Sequence, residues 1–170
     1  MAHYCQITDA VHAKGSFIFM QVFAFGRAAD ESALEAAGYS DAYVSSSDVQ
    51  LTGKPNPPRA MTMGDIDDLV QDFVTVAKNA IKAGLDGVEL HGANGYLVDQ
   101  FIQDKANRRT DKYGGSIENR AQLFLEIVDA VSLEIGAKRV GIRISPWSPF
   151  QGESIAEGWQ LHGLISHLKI

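Results

Sequence analysis

Three short, nearly continuous apolar segments constrain the fold of this chain more than any other feature of its sequence. They lie at residues 17–22, 87–90 and 139–144, and each is rich in β-branched and aromatic residues. Strands that alternate apolar and polar residues expose one face, whereas nearly continuous apolar strands are typical of parallel sheets covered on both faces. The three segments therefore predict parallel β-strands inside an α/β domain.

Helical patterns separate these segments. Thr62 and Asp65 form a T-x-x-D helix start, apolar residues then recur every three or four positions, and Gly84 ends the pattern. A second helix is predicted to begin after Ser116 and to end at Gly136, and a further helix is predicted to lead into the first strand. Helix and strand alternate, which predicts either a doubly wound sheet or a (β/α)8 barrel.

The length of the chain determines whether it could form a complete barrel. The 170 residues are predicted to form a single domain, because domains most often have about 100–150 residues. A complete (β/α)8 barrel needs about 250 residues, so a chain with three predicted strands would be part of one. Two long stretches, 26–62 and 92–115, are predicted to be loops that contribute to a functional site.

Composition narrows the class of protein. The chain has 15 Lys+Arg and 21 Asp+Glu, a formal net charge of −6, which argues against nucleic acid or an anionic membrane as its main partner. The single cysteine, Cys5, has no partner for an internal disulfide, and no apolar run approaches the roughly 20 residues that span a bilayer. The first residues lack a secretory signal. We therefore expect a globular cytoplasmic protein.

Polar residues lie at or just beyond the ends of the three predicted strands. Gln21 lies in the first strand, His91 and Asn94 end or follow the second, and Arg143 lies in the third. Ligands bind at the carboxyl ends of the strands in both α/β architectures. The sequence therefore predicts that these side chains, together with the nearby Tyr96, form one pocket.

Each of these residues also has an ordinary structural explanation when taken alone. Gln21 could be a buried hydrogen-bonding group, Arg143 an ion-pair partner and His91 a core histidine. Asn94 begins a common turn dipeptide, and Tyr96 could pack with a bonded hydroxyl and do nothing else. The constellation, and not any single member, favours a functional site.

Other kinds of site find little support in the sequence. His91 and His162 have no cysteine, histidine or carboxylate partners at the intervals of a metal site, so no metal is predicted. The G-x-S-x-G, Walker A and G-x-G-x-x-G motifs do not occur. Cys5 has no base nearby and is expected to be inert. The charged stretch 105–112 is expected to be a solvated or ion-paired loop, not a phosphate site.

Two segments of the chain carry a family resemblance. The first is HGANGYL at 91–97, followed by Gln100 and Phe101, and the second is NRRTDKYGGSIENR at 107–120. They resemble the old yellow enzyme family of flavin-dependent ene reductases, which are built on a (β/α)8 barrel. The resemblance covers residues 7–152, and SPWSPF at 145–150 is similar to the fungal members. It implies a partial barrel of three central βα units, strands 3 to 5, with Gln21 in the third strand and Arg143 in the fifth.

The resemblance also implies a role for each candidate residue. Gln21 would hydrogen-bond the pyrimidine edge of FMN, and Arg143 would place a positive charge beside the N1/C2 region of its ring. His91 and Asn94 would donate hydrogen bonds to the substrate carbonyl oxygen, where negative charge grows during hydride transfer from the flavin. Tyr96 would protonate the α-carbon. The implied reaction is the NADPH-dependent reduction of α,β-unsaturated aldehydes or ketones, with fungal alkaloid biosynthesis of the ergot type as a suggested setting.

The sequence departs from the family pattern in three ways. Phe23 stands where the family usually has Trp, which would change the shape of the pocket. Residues 153–170 form a divergent tail, although their apolar spacing would suit an amphipathic helix. The first two and last three barrel strands, which supply other flavin contacts, have no counterpart. Two alternatives to an active enzyme therefore stay open, namely a truncated inactive homologue and a fragment that assembles with a complementary one.

Overall fold

The computed structural model describes residues 2–146, 148 and 150–152. Within them the α-helices are α1 (Ala2–His12), α2 (Glu31–Ala36), α3 (Met63–Lys82), α4 (Leu97–Ile102) and α5 (Ile117–Ile135). The strands are β1 (Phe19–Val22), β2 (Val44–Ser45), β3 (Arg59–Ala60), β4 (Gly87–Gly92) and β5 (Val140–Ile144). The helix suggested for the divergent tail lies outside the described residues.

The main sheet has three parallel strands in the order β1-β4-β5. The register places Gln21 beside Glu89, and His91 beside Arg143. The three predicted strands and their parallel arrangement are therefore confirmed, with β4 in the centre.

The strand boundaries differ from the prediction at two places. The first strand begins at Phe19 and not at 17, because the Ile18 amide donates to the Asp86 carboxylate at 2.7 Å and Phe17 is 76% exposed. The central strand continues past Leu90 to Gly92, so His91 belongs to the strand itself. Its two last residues still pair with the neighbouring strand β5.

The hydrophobic core lies between one face of the sheet and the two long helices. Val88 and Leu90 of the central strand are almost fully buried on this face, against α3 and α5. The helices contribute the following fully or almost fully buried side chains to the same core cluster: Ile66, Phe73, Ala77, Ala80, Leu123, Phe124, Ile127 and Val131. Burial of these apolar residues fixes which face of the sheet is covered.

The other face of the sheet is uncovered in the described residues, and we call it the open face. Because side chains alternate along a strand, it carries Phe19, Gln21, Glu89, His91 and Arg143. Phe19, Gln21 and Arg143 are exposed, whereas His91 is buried and its ring contacts those of Phe23 and Tyr96. The open face therefore carries exposed polar and aromatic side chains, whereas a covered sheet would carry buried apolar side chains on this face.

The predicted helix ends agree with the structure. Thr62 and Asp65 form a capping box at the start of α3, in which each side chain bonds the other residue's backbone N–H. The Ser116 hydroxyl accepts the Asn119 amide at the start of α5. Gly136 follows the helix with φ 89°, a conformation that favours glycine.

No helix in the described part of the chain is long and apolar enough to cross a membrane.

The prediction of two unbroken loops at 26–62 and 92–115 was wrong. These stretches contain α2, α4 and the two-stranded parallel sheet of β2 and β3. The elements are two to six residues long, and backbone bonds from Arg59 to Tyr43 and from Met61 to Ser45 hold the small sheet together. Elements this short show no periodicity, because tertiary contacts and not local sequence stabilise them.

Candidate active site

The carboxyl ends of the three parallel strands bring Gln21, His91 and Arg143 to one end of the open face. Gln21 lies on β1 and Arg143 on β5, so the two exposed side chains flank the central strand. The Gln21 amide donates to the Glu89 carboxylate at 2.5 Å. Amide and guanidinium donors therefore stand on both sides of β4 and remain accessible from the open face.

The hydrogen bond that His91 accepts shows which ring nitrogen carries its proton. Its Nδ1 accepts the Ala93 backbone amide at 3.3 Å, so the proton of the neutral ring is on Nε2. Burial lowers the pKa of His91, and the positive charge of Arg143 on the neighbouring strand lowers it further. An uncharged imidazole at neutral pH can donate a hydrogen bond without transferring its proton.

Four aromatic rings lie together at the end of β1 and β4, and we call them the aromatic wall: Phe23, Phe25, His91 and Tyr96. The Tyr96 ring lies 5.3 Å from His91, 5.3 Å from Phe23 and 5.9 Å from Phe25, measured between ring centroids. Phe23 and Phe25 remain 42% and 53% exposed. The wall therefore brings the predicted donors His91 and Tyr96 to one surface, where a flat ligand could contact both.

Phe25 is a residue of this surface that sequence reasoning missed. It contacts Phe23 edge-on at 5.0 Å and also reaches Tyr96. The signal was present in the spacing, because Gln21, Phe23 and Phe25 alternate with smaller apolar residues as the first strand ends. Residues two apart share one face of a strand, so this spacing is what an extended segment facing a site would show.

Asn94 lies in the turn that follows β4. It has φ 55°, a left-handed conformation that asparagine tolerates better than most residues, so the turn explanation for Asn94 also holds. Its backbone amide donates to the Ser145 hydroxyl at 2.6 Å. This bond joins the turn after β4 to the segment after β5, two residues beyond Arg143, and Asn94 therefore lies beside the other candidate residues.

The second family-like segment, at 107–120, fixes the loop structure around the site. Arg109 forms an ion pair with Asp111 and donates to the carbonyls of Ser46 and Met61 at 3.0 and 2.6 Å. Asn107 donates to the backbone carbonyls of Phe101, in α4, and of Tyr113. The expectation of an ion-paired loop is confirmed, and these residues connect α4 and α5 to the small sheet.

The donor set of the open face fits a planar, carbonyl-bearing group such as a flavin. The exposed Gln21 amide and Arg143 guanidinium could hold the edge of a ring by hydrogen bonds and charge, and the aromatic wall offers flat apolar contact. A metal is less suited to this donor set. Within the described residues no group of three or more histidine, cysteine or carboxylate side chains could hold an ion.

Comparison with known proteins identifies the family. Residues 1–168 match the model of the NADH:flavin oxidoreductase / NADH oxidase family. The chain belongs to this family. The structure is also similar to that of Old Yellow Enzyme from Pichia sp. AKU4542, with a TM-score of 0.92 and 42% sequence identity over 98% of this chain and 46% of that one. The predicted fold, a partial (β/α)8 barrel of the old yellow enzyme type, is therefore confirmed, and flavin is the cofactor class of the family.

Fungal proteins are among the relatives. Chanoclavine-I aldehyde reductase fgaOx3 of Penicillium roqueforti is 49% identical over 89% of this chain and 41% of its own length. The NADP-dependent oxidoreductase lnbE of Aspergillus flavus is 46% identical over 99% of this chain and 45% of its own. A probable inactive dehydrogenase, easA, of Claviceps purpurea is 50% identical over 89% and 40%. The chain spans less than half the length of these relatives.

Proposed function

We propose that this chain contributes the substrate-facing part of the active site of an FMN-dependent ene reductase. The reaction is the reduction of the C=C bond of an α,β-unsaturated aldehyde or ketone, with NADPH as the source of hydride. The observation that carries the proposal is the contact of His91 with Tyr96, 5.3 Å between ring centroids, at the end of a strand flanked by Gln21 and Arg143. A carbonyl donor and a proton donor thus share one surface.

Gln21 and Arg143 are proposed to hold the FMN ring. Both are exposed on the open face, and the amide of Gln21 supplies a donor to a ring carbonyl. Arg143 supplies a fixed positive charge, which favours negative charge on the edge of a bound ring. When bound, FMN would supply hydride to the β-carbon of the substrate.

His91 and Asn94 are proposed to bind the substrate carbonyl oxygen. The Nε2–H of His91 and the side-chain amide of Asn94 are neutral donors, one at the end of β4 and the other in the turn that follows it. Negative charge accumulates on a carbonyl oxygen when a nucleophile attacks the conjugated β-carbon. Donors already in place stabilise that charge without reorganisation, which lowers the barrier.

Tyr96 is proposed to donate a proton to the substrate α-carbon. Its ring contacts both His91 and Phe23, so the phenol belongs to the same surface as the carbonyl donors. A phenylalanine would pack in the same way but could not donate a proton. The presence of Tyr96 therefore favours complete reduction of the double bond over binding or isomerisation alone.

The names of two fungal relatives, an aldehyde reductase and an NADP-dependent oxidoreductase, support an aldehyde substrate and NADPH. We propose fungal alkaloid biosynthesis of the ergot type as the setting.

The second candidate is an inactive homologue. The open face favours it, because Phe19 is 51% exposed and β1 and β5 each pair only with β4 within the described residues. Unpaired strand edges and an uncovered face weaken any cofactor site.

An absorbance experiment separates the two candidates. The chain is incubated with FMN, separated from free FMN by gel filtration and mixed anaerobically with NADPH and then with an enone. The proposal expects a yellow protein that NADPH bleaches and the enone restores. A colourless protein whose strands β1, β4 and β5 are protected from hydrogen exchange would overturn the catalytic proposal for this chain, and co-expression with complementary barrel strands would then test assembly.

A further inference from the structure

Gly95 lies between two candidate site residues, and buried side chains hold both of its backbone polar groups. Its amide donates to the Asp99 carboxylate at 2.8 Å, and its carbonyl accepts from the Gln100 amide at 2.7 Å. Asp99 and Gln100 are consecutive residues of α4, 4% and 0% exposed. The peptide groups on both sides of Gly95 are therefore fixed, and with them the positions of Asn94 and Tyr96.

Gln100 uses its whole hydrogen-bonding capacity. Its Nε2 donates to the carbonyls of Gly95 and Phe25, and its Oε1 accepts the Arg27 amide at 3.1 Å and the Ser45 hydroxyl at 2.8 Å. Two donors and two acceptors on one short side chain are what an amide has and a carboxylate lacks. Gln100 therefore joins the Tyr96 turn to the segment that carries the aromatic wall.

Gly26, which directly follows Phe25, allows the backbone after β1 to contact the Gln100 side chain. Gly26 has φ 61°, and a Cβ atom there would lie 2.1 Å from the Gln100 Oε1. The backbone after β1 can therefore approach the amide only without a side chain at this position. The buried Gln100 amide therefore bonds both the loop that holds Phe25 and the turn that holds Gly95.

We propose that Asp99 and Gln100 act together as positioning residues, a Gly95 clamp, that holds Asn94 and Tyr96 in place relative to the aromatic wall. The catalytic part of this inference rests on the proposed function, whereas the structural part does not. The buried clamp side chains are joined to the site through their hydrogen bonds to the Gly95 backbone and to the Phe25 carbonyl. Loss of the clamp allows the Tyr96 phenol and the Asn94 amide to move away from a bound substrate, which slows turnover.

The sequence allows the clamp to be observed at a single atom. Asn94-Gly95 is the one Asn-Gly pair in the chain, so protein with ¹³C-carbonyl asparagine and ¹⁵N-glycine gives one selected NMR signal, the Gly95 amide. Removing a buried acceptor exposes that amide, and we expect Asp99→Ala to raise its hydrogen-exchange rate by about tenfold. Asp99→Asn keeps an acceptor oxygen and is expected to rescue the protection. Asp129→Ala, an exposed aspartate of α5, is the matched control.

A second variant tests the Gln100 half of the clamp and leaves the side-chain volume almost unchanged. Gln100→Glu keeps the acceptors for Arg27 and Ser45 but loses the donor to Gly95. The chain has two Gly-Tyr pairs, ending at Tyr39 and Tyr96, so ¹³C-carbonyl glycine with ¹⁵N-tyrosine gives two selected signals. The Tyr96 signal is expected to move while that of the exposed Tyr39 stays. If Asp99→Ala fails to fold, this variant decides.

The effect of the clamp on catalysis is measured as the turnover of an enone substrate. Asp99→Ala and Gln100→Glu are expected to lower kcat by about tenfold, with Asp99→Asn near the wild-type value. A Gly95 amide that stays protected in Asp99→Ala, with a Tyr96 signal unmoved in Gln100→Glu, overturns the clamp. Altered NMR signals with unchanged kcat overturn its catalytic role. If the wild-type chain shows no turnover, the proposed function fails while the NMR signals still decide the clamp.

Discussion

His91 and Arg143 are register partners on the adjacent parallel strands β4 and β5, on the same face of the sheet. The pairing places a permanent positive charge next to an imidazole that is 5% exposed. Burial first, and then this charge, lower the pKa of His91. The relationship explains how the residue proposed to contact the substrate can remain an uncharged donor beside the residue proposed to contact the cofactor.

Replacing Arg143 tests this relationship. Arg143→Gln removes the charge and is expected to raise the pKa of His91, because the protonated ring no longer meets a like charge. The pKa is measured by NMR titration of the His91 ring protons, which His91→Gln assigns. Arg139→Gln, at the exposed residue directly before the same strand, is the control. A His91 pKa that is equal in Arg143→Gln and wild type would contradict the account.

Asp99 is expected to make stability depend on pH. Burial raises its pKa to about 6, above the ordinary value of 3.8. Between these values the folded protein binds more protons than the unfolded chain, so the free energy of unfolding falls as the pH rises through this range. Relative to Asp99→Asn, the wild type is expected to lose about 2 kcal/mol between about pH 4 and pH 7.5.

Urea unfolding at several pH values measures this difference. Asp129→Asn makes the same substitution at an exposed position of α5 and is the matched control. Parallel pH profiles for the wild type and Asp99→Asn would mean that the Asp99 carboxyl titrates normally. That outcome would contradict the burial of the Asp99 side chain in α4.

Gln21 is expected to affect cofactor affinity. Gln21→Leu removes a donor from the open face and leaves the Glu89 carboxylate without its amide partner. Loss of one hydrogen bond to a bound ring, with a bare carboxylate beside it, is expected to weaken FMN binding by about tenfold or more. Quenching of flavin fluorescence measures the Kd. Gln71→Leu, on the exposed side of α3, should leave the Kd unchanged, and equal Kd values for Gln21→Leu and wild type would count against the assignment of Gln21.

The capping box of α3 is expected to contribute to stability. Thr62→Ala removes the acceptor for the Asp65 amide and is expected to lower the free energy of unfolding by about 1 kcal/mol. Thr75→Ala lies in the exposed middle of the same helix and should not lower it, because alanine is the better helix former. Denaturant unfolding of the three proteins measures the difference, and equal losses for both variants would show that the cap does not act as described.

The sequence predicted the large elements well because each has a strong local signal. The helix from Thr62 shows both its cap and its periodicity, and the central strand is nearly continuous in apolar residues. The alternation of these elements predicted a parallel sheet, and the family resemblance implied that the sheet is part of a barrel. By contrast, β2 and β3 span two residues each and exist because Arg59 and Met61 bond to Tyr43 and Ser45.

The site residues at the strand ends could be predicted from the sequence, whereas the contacts made by the surrounding loops could not. Gln21, His91 and Arg143 follow from the rule that parallel strands gather their carboxyl ends. The link between the Gly95 clamp and the aromatic wall could not be anticipated, since Gln100 bonds Ser45 and Phe25, which are 55 and 75 positions away in the chain. Phe25 could have been inferred from its two-residue spacing after Gln21 and Phe23, whereas its contacts with Phe23 and Tyr96 required the structure.

The comparison of wild type with Tyr96→Phe tests the central claim most directly. The reduced, FMN-loaded proteins are mixed with an enone in a stopped-flow instrument, and the return of flavin absorbance is followed without oxygen. Reduction by NADPH is expected to be equal in both proteins, whereas reoxidation by the enone is expected to be at least about 100-fold slower in Tyr96→Phe, because the proton donor is missing. Equal rates of reoxidation in the two proteins would contradict the assignment of Tyr96 as the proton donor.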